Sequence, residues 1–211
     1  MEGYASEQEQ IEAIKKWWKE NGKFIIVGVI LGLLVLFGTK TWVARKNSIA
    51  EAASIEFEQL LTELKQKNNQ VVDERGKHII SSYPKTPYAA LAAMAIAKTK
   101  LEDGDNAAAR AQLQWAFDHA EQPEIKDTAR LRLAKVLIAQ GDPAQVVTLL
   151  EGVNAENFNG LYEEVRGDAY IAMGDTAKAA QSYKKALTML SPGASTQQLQ
   201  MKLDDIAPGE N

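Results

Sequence analysis

The 211-residue chain contains no cysteine and only two histidines. The lack of cysteine excludes structural disulfides, thiolate zinc sites and thiol catalysis. His78 and His119 have no carboxylate at metal-ligand spacing, so we interpret them as surface or half-buried helix residues. No phosphate-binding loop, dinucleotide fingerprint or G-x-S-x-G motif occurs. We therefore predict a protein that is not an enzyme and that uses no metal or cofactor.

Excess positive charge is also lacking, because the net charge is −4. Residues 47–211 hold 17 Lys and Arg against 23 Asp and Glu, whereas residues 1–46 hold seven basic residues against five Glu. This division predicts a basic start, an acidic body and no binding of nucleic acid. Proline and glycine fall almost entirely between helical stretches, and no segment alternates as a strand does. The expected fold class is all-α.

One long apolar segment, Phe24–Thr39, carries neither charge nor proline. Lys40 interrupts it, but a Lys40 side chain that reaches the lipid head groups extends the run to Ala44, or about 31 Å of helix. The hydrocarbon core of a bilayer is about 30 Å thick, and tryptophans at both edges fit an interfacial belt. We predict a transmembrane helix over residues 24–44. The alternative is a buried core helix of a soluble protein.

The apolar segment differs from a cleaved signal peptide, since 23 residues precede it and the bulky Trp42 stands near the candidate cleavage site after Ala44. An uncleaved anchor is therefore expected. Four lysines precede the apolar segment Phe24–Thr39, and Lys40, Arg45 and Lys46 follow it, of which Lys40 counts little because it lies within the extended span. This small excess favours a cytoplasmic N-terminus. We predict residues 1–23 on the cytoplasmic side and residues 45–211 on the opposite side.

The segment before the span carries helix signals. Ser6–Glu9 matches a capping box, which predicts a helix from Glu7 to about Glu20. Three apolar residues of this helix share one face: Ile11, Ile14 and Trp18. An amphipathic helix on the membrane surface is one interpretation, and a solvated helix end fused to the span is the other. Asn21-Gly22 predicts a break before the span.

Two glycines inside the span, Gly28 and Gly32, form a G-x-x-x-G pattern. Small residues at this spacing let a second membrane helix approach closely. We therefore predict transmembrane packing at both glycines, with simple lipid contact as the alternative.

An internal repeat is the most informative feature of the body. Gly104-Asp105, Gly141-Asp142 and Gly174-Asp175 lie 37 and 33 residues apart, which brackets the period of about 34 in tetratricopeptide repeats. Each glycine is expected to end a helix in a left-handed conformation, and each aspartate to cap the next helix. The pattern over residues 47–82 predicts an earlier, degenerate helix pair. The pattern over Gln197–Ile206 predicts a capping helix, which the end of a solenoid needs. The predicted body is an α-solenoid of tetratricopeptide-like helix pairs.

A stack of helix pairs forms a concave surface that binds peptides or proteins, and the first helix of each pair lines it. Repeat position assigns seven residues to this partner-binding face: Met94, Lys98, Leu131, Lys135, Ile138, Asp168 and Ile171. The alternative is that several of them fill the core.

Two ends of the chain and one corner resemble a known family. The opening carries Tyr4, the run EQEQIEAIKKWW at Glu7–Trp18 and Asn21–Lys23 directly before the span. Tyr83–Ala92 carries a double-proline corner, and the tail carries LQMKLDD at Leu199–Asp205. Together these segments resemble the YfgM family, the ancillary subunits of the bacterial SecYEG translocon, over essentially the whole chain.

The resemblance implies a single-pass protein of the Gram-negative inner membrane with a periplasmic repeat domain. It implies association with the SecYEG translocon and with a membrane-anchored periplasmic chaperone of the prolyl-isomerase type. The expected function is a non-enzymatic, chaperone-type binding module that acts on exported client proteins. Two other interpretations remain open, a membrane-anchored regulator of envelope stress signalling and a scaffold for envelope assembly. The resemblance carries over no catalytic residue.

Overall fold

A computed structural model describes residues 7–155, 157–190 and 193–206. Within these ranges the chain forms nine helices and no strand, so the predicted all-α class is confirmed. The helices are α1 (Glu7–Lys65), α2 (Asn69–Ser82), α3 (Pro87–Glu102), α4 (Asn106–His119), α5 (Pro123–Ala139), α6 (Pro143–Leu149), α7 (Asn159–Ala172), α8 (Thr176–Met189) and α9 (Ala194–Ile206). The chain divides into a first unit, Met1–Ile49, and a second unit, Ala50–Asn211.

Helix α1 continues through Asn21-Gly22, so the predicted break there is wrong. The side-chain amide of Asn21 donates a hydrogen bond to the Trp17 carbonyl one turn earlier, at 3.1 Å. The Trp18 ring lies over Gly22, where an added Cβ would stand only 3.1 Å from Cε2 of the indole. These contacts hold both residues in the helix although their propensities favour its end. The capping residue Ser6 lies outside the described residues.

The apolar segment of the first unit is exposed along its whole length. Exposed fractions of its large apolar side chains run from 37% at Ile25 to 75% at Phe24. The most apolar 18-residue window is only 6% buried, which contradicts a buried core helix. Among the described residues, this is the one helix long and apolar enough to cross a membrane. The bounds 24–44 stay a prediction.

The second unit is a series of antiparallel helix pairs. The end of α1 packs against α2 and α3 through Leu60, Val72 and Ile79, so the predicted early pair is confirmed. The pairs α3–α4, α5–α6 and α7–α8 follow, and small residues fill their crossing points with at most 1% exposure: Ala97, Ala109, Ala116, Ala134, Ala179 and Ala186. Because alanine carries a single methyl group, the helix backbones approach closely there. The repeat prediction is confirmed.

The turns between paired helices use the predicted glycines. Gly104, Gly141 and Gly174 have φ angles of 80°, 82° and 79°, a left-handed conformation that residues with a Cβ adopt at a cost. After the first and third of these, the aspartate caps the next helix. Asp105 accepts the backbone N–H of Ala108, and Asp175 accepts that of Lys178, both at 3.0 Å.

Asp142 does not cap α6, so the capping prediction is wrong at this repeat. Its carboxylate accepts a hydrogen bond from the Arg110 guanidinium of α4 at 3.0 Å. Pro143 at the first position of α6 also removes one backbone N–H that needs a cap. Helix α6 has seven residues, half the length of α4 and α8, and ends before the left-handed Gly152.

Helix α9 covers the open side of the last pair. Leu199 is fully buried among residues of α8, including Ala179, Tyr183 and Ala186. The predicted capping helix is therefore confirmed, and it begins at Ala194, three residues earlier than expected.

Candidate functional site

A groove runs between the first helices of two consecutive pairs in the second unit, along the length of both helices. It consists of two adjoining cavities of about 300 and 460 Å³. Met94, Lys98 and Arg132 line both cavities, so the two are continuous. The end of α1, α3 and α5 form its walls, and we call it the α3–α5 groove. Its position agrees with the expectation that first helices line the binding surface.

The α3–α5 groove has an apolar floor. Met94 and Val136 are 3% and 5% exposed, and they close the base between α3 and α5. Leu101, by contrast, is 40% exposed in the larger cavity. In the smaller cavity the apolar lining comes from Phe57, Leu61, Leu64, Leu91, Ile125 and the shared Met94. The apolar surface open to a ligand therefore comes from Leu101 in the larger cavity and from the partly exposed residues of the smaller one.

Positive charge dominates the rim of the α3–α5 groove. Lys98, Arg132 and Lys135 are exposed along it, whereas Glu102 is the one carboxylate among the lining residues. The Lys98 ammonium lies 3.8 Å from Glu102, in an exposed contact that contributes little. Within the residues that the structure describes, Arg132 and Lys135 form no ion pair or hydrogen bond through their side chains.

The structure brings three of the seven predicted partner-binding residues together. Met94, Lys98 and Lys135 line the larger cavity of the α3–α5 groove. Met94 also belongs to the main hydrophobic core, and Leu131 and Ile138 are half-buried and pack against it, as the alternative interpretation supposed for several of the seven. Contact of any of them with a partner stays a prediction.

Asp168 lies beneath the last helix rather than on an open surface. It accepts hydrogen bonds from the Tyr183 hydroxyl at 2.8 Å and from the Lys202 ammonium of α9 at 2.9 Å. Glu164 accepts from the same ammonium, also at 2.9 Å. Through these contacts the Asp168 carboxylate stabilises the packing of α9 against α7. Ile171, one turn further along, is 37% exposed and lies outside the lining of the α3–α5 groove.

Electrostatics strengthen this attachment of α9. Burial disfavours the Lys202 charge, but hydrogen bonds to Asp168 and Glu164 outweigh it and raise the pKa of Lys202. Burial, assisted by the hydrogen bond to Asp168, also raises the pKa of Tyr183. The ammonium and the phenol therefore keep their protons throughout the physiological pH range, and α9 stays ion-paired to α7.

Arg132 is the groove residue that the sequence reasoning missed. The observed groove face of α5 follows Thr128, Arg132, Lys135 and Ala139, a helical i, i+4, i+7, i+11 series. Repeat position assigns Leu131 to this face instead, and Leu131 lies about 100° around the helix from Arg132. Leu131 and Arg132 lie four and three residues before Lys135, about 40° and about 60° around the helix from it, so helical spacing alone does not separate them.

Gly28 and Gly32 lie in the first unit with open space around them. A Cβ built on either glycine meets nothing within 4 Å beyond the helix itself. Both positions are therefore available to an external helix, and transmembrane packing there stays a prediction.

Comparison with known proteins defines the family. A family model described as a tetratricopeptide repeat-like domain matches residues 15–208. Two curated proteins named ancillary SecYEG translocon subunit are each 32% identical to this chain. The one from Haemophilus influenzae matches over 87% of this chain and 90% of its own length. The one from Aggregatibacter actinomycetemcomitans matches over 95% of this chain and 97% of its own length. The protein of that name from Escherichia coli is 27% identical over 98% of this chain and its own full length. No solved structure matches. The chain belongs to the tetratricopeptide repeat-like family of ancillary SecYEG translocon subunits, the YfgM family.

Proposed function

We propose that this chain is a non-enzymatic accessory subunit of the SecYEG translocon that binds segments of exported proteins. The observation that carries the proposal is that relatives bearing this name match nearly the whole chain, span and repeat body included. The α3–α5 groove supports the binding role, since it combines an apolar floor with an exposed charged rim.

The proposed topology places residues 1–23 in the cytoplasm, residues 24–44 across the inner membrane and residues 45–211 in the periplasm. Proteins leaving the translocon on the periplasmic side are unfolded, and an anchored body meets them at high effective concentration. A membrane-anchored chaperone of the prolyl-isomerase type is the second proposed partner. It would receive the same exported proteins, and the repeat body is the surface we propose for that contact.

Co-purification tests the translocon association. The tagged full-length protein is extracted in mild detergent, and bound proteins are identified by mass spectrometry. We expect translocon subunits, the chaperone and exported proteins to be enriched over a preparation of an unrelated tagged single-span protein. Equal recovery of translocon subunits in both preparations would overturn the proposal.

Site-specific crosslinking tests the role of the α3–α5 groove. A photoreactive amino acid replaces Lys98 or Lys135 in the full-length protein, and Lys184, which is exposed on α8 outside the groove lining, serves as the matched control. We expect crosslinks to exported polypeptides from the two groove positions and not from position 184. Equal crosslinking at all three positions would remove the groove from the proposed function.

A regulator of envelope stress signalling remains the second candidate, and one observation favours it. Ile11, Ile14 and Trp18 on the N-terminal helix are 51%, 66% and 52% exposed, which leaves their shared apolar face available to a cytoplasmic protein. Deletion of residues 1–20 separates the two candidates. If translocon subunits still co-purify while a stress reporter changes, the N-terminal segment serves signalling. If translocon association is lost, that segment belongs to the accessory role.

A further inference from the structure

We propose that the α3–α5 groove selects extended polypeptide segments in which a carboxylate side chain lies between apolar ones, and that Arg132 binds the carboxylate. This inference rests on the proposed peptide-binding function of the groove and adds the class of segment that it accepts. The family match covers the chain as a whole and assigns no carboxylate-binding role to Arg132.

Arg132 differs from every other arginine of the second unit. Arg75, Arg110, Arg130 and Arg166 each lie within ion-pair distance of a carboxylate: Glu56 at 3.7 Å, Asp142 at 3.0 Å, Asp127 at 2.9 Å and Glu163. Arg132 has no such partner in the described part of the chain, although acidic residues outnumber basic ones in this unit. Its guanidinium is therefore available to an external carboxylate.

The surroundings of Arg132 favour a carboxylate ligand. Lys135 lies one turn further on α5 and Lys98 faces the same cavity from α3, so three cations converge against the single carboxylate of Glu102. A guanidinium presents parallel N–H donors that match both oxygens of a carboxylate, and this geometry is selective for planar anions. Because Arg132 is exposed, such a pair gains strength when the bound segment covers the apolar floor and excludes water.

The dimensions of the groove indicate a short extended segment. The two cavities follow one another along α3 and α5, and their lining on α5 extends from Ile125 to Ala139. This stretch of helix is about 21 Å long, which corresponds to about six residues of extended chain. Arg132 lines both cavities, so the acidic residue belongs near the middle of the segment. Leu91 and Leu101 lie on the two sides for apolar side chains.

An anionic lipid head group would also satisfy the three cations. The acyl chains of a bilayer lipid stay in the membrane, so its head group would use only the cations and would leave the apolar lining of the smaller cavity uncovered. A peptide with alternating contacts covers both, because its carboxylate meets Arg132 while its apolar side chains rest on the floor. The polypeptide is therefore the occupant that we propose.

Peptide binding to the full-length protein in neutral detergent micelles tests the inference. Three fluorescent ten-residue peptides are compared by anisotropy, identical except for a central Glu, Gln or Lys between apolar residues. We expect the Glu peptide to bind about tenfold more tightly than the Gln peptide, and the Lys peptide most weakly.

R132Q should abolish the Glu-over-Gln preference while leaving the Gln-peptide affinity unchanged. R132K should retain part of the preference, because the charge remains and the fork is lost. K184Q, which removes an exposed charge elsewhere, should behave as wild type.

Three results would overturn the inference. Equal binding of the Glu and Gln peptides, with both weakened by L101Q, would show a groove without acid selectivity and would leave the proposed peptide-binding function intact. Failure of every peptide to bind a folded protein would overturn both proposals. Arg132-dependent displacement of bound peptide by phosphatidylglycerol added to the micelles, without a Glu-over-Gln preference among peptides, would assign the cations to lipid instead.

Discussion

Gly174 illustrates a glycine that is needed for its backbone conformation alone. Its φ is 79°, and a Cβ built there meets nothing within 4 Å, so space does not limit substitution. A β-branched residue is strained at positive φ whatever its surroundings. Gly174→Val should lower the free energy of unfolding by about 1–3 kcal/mol, measured by urea denaturation followed by circular dichroism. Gly174→Asn is the control and should cost less, since asparagine tolerates this conformation. Equal stability of the Val variant and wild type would contradict the repeat turn.

Gly167 is needed for the opposite reason, close packing within an ordinary helix. A Cβ there would lie 2.3 Å from Cε1 of Tyr183, so the ring and α8 must shift. Alanine gains about 1 kcal/mol of helix propensity, and overpacking costs about 1–3 kcal/mol, so Gly167→Ala should be net destabilising in the same urea titration. In a Tyr183→Leu background the same change should cost less, because the clashing ring is absent. An identical cost in both backgrounds would show that the Tyr183 contact is not the cause.

The two glycines Gly28 and Gly32 of helix α1 lead to a prediction about how this helix associates with a partner helix. Membrane helices associate through close packing rather than hydrophobicity, so glycines with open space around them are candidate contact points. Gly28→Leu combined with Gly32→Leu should weaken co-purification of translocon subunits severalfold without changing the unfolding of the second unit. The expected loss follows because leucine side chains hold a partner helix further away.

Gly38→Leu provides the matched control for that experiment. Six residues separate Gly38 from Gly32, which is about one and two-thirds helical turns, so Gly38 lies on a different face of α1. It also has nothing within 4 Å of an added Cβ. Gly38→Leu should therefore leave co-purification unchanged. Wild-type recovery with the double variant would make the span an anchor only and would move the association to the repeat body.

Topology is a prediction for the molecule as a whole. Lysines before the apolar segment Phe24–Thr39 outnumber the basic residues directly after it only by four to three, and long domains translocate largely regardless of charge. We expect a reporter that is active only in the cytoplasm to be silent when fused after Asn211 and active when fused before Met1. The mirror-image result would place the repeat body in the cytoplasm and would overturn its proposed periplasmic role.

Local chemistry was enough to predict most of the fold. Helical periodicity identified the helix pairs, the Gly-Asp repeats identified the turns at Gly104, Gly141 and Gly174, and an apolar run identified the one candidate span among the described residues. These features depend on residues a few positions apart, so the sequence alone contains them. The continuity of α1 through Gly22 was missed because the Trp18 ring compensates for a residue that usually ends helices.

The tertiary structure decided which charged groups find partners. Arg110 takes Asp142 away from its helix cap, and Lys202 occupies Asp168, although each pair lies more than 30 residues apart in sequence. Arg132 stays unpaired within the described ranges for the same reason, since its helix face meets a groove and not a neighbouring carboxylate. The sequence by itself determined an anchored stack of helix pairs. Only the packing of the helices decided where the groove lies and that Arg132 has no ion-pair partner among the described residues, because ion pairs depend on which helix faces meet in space.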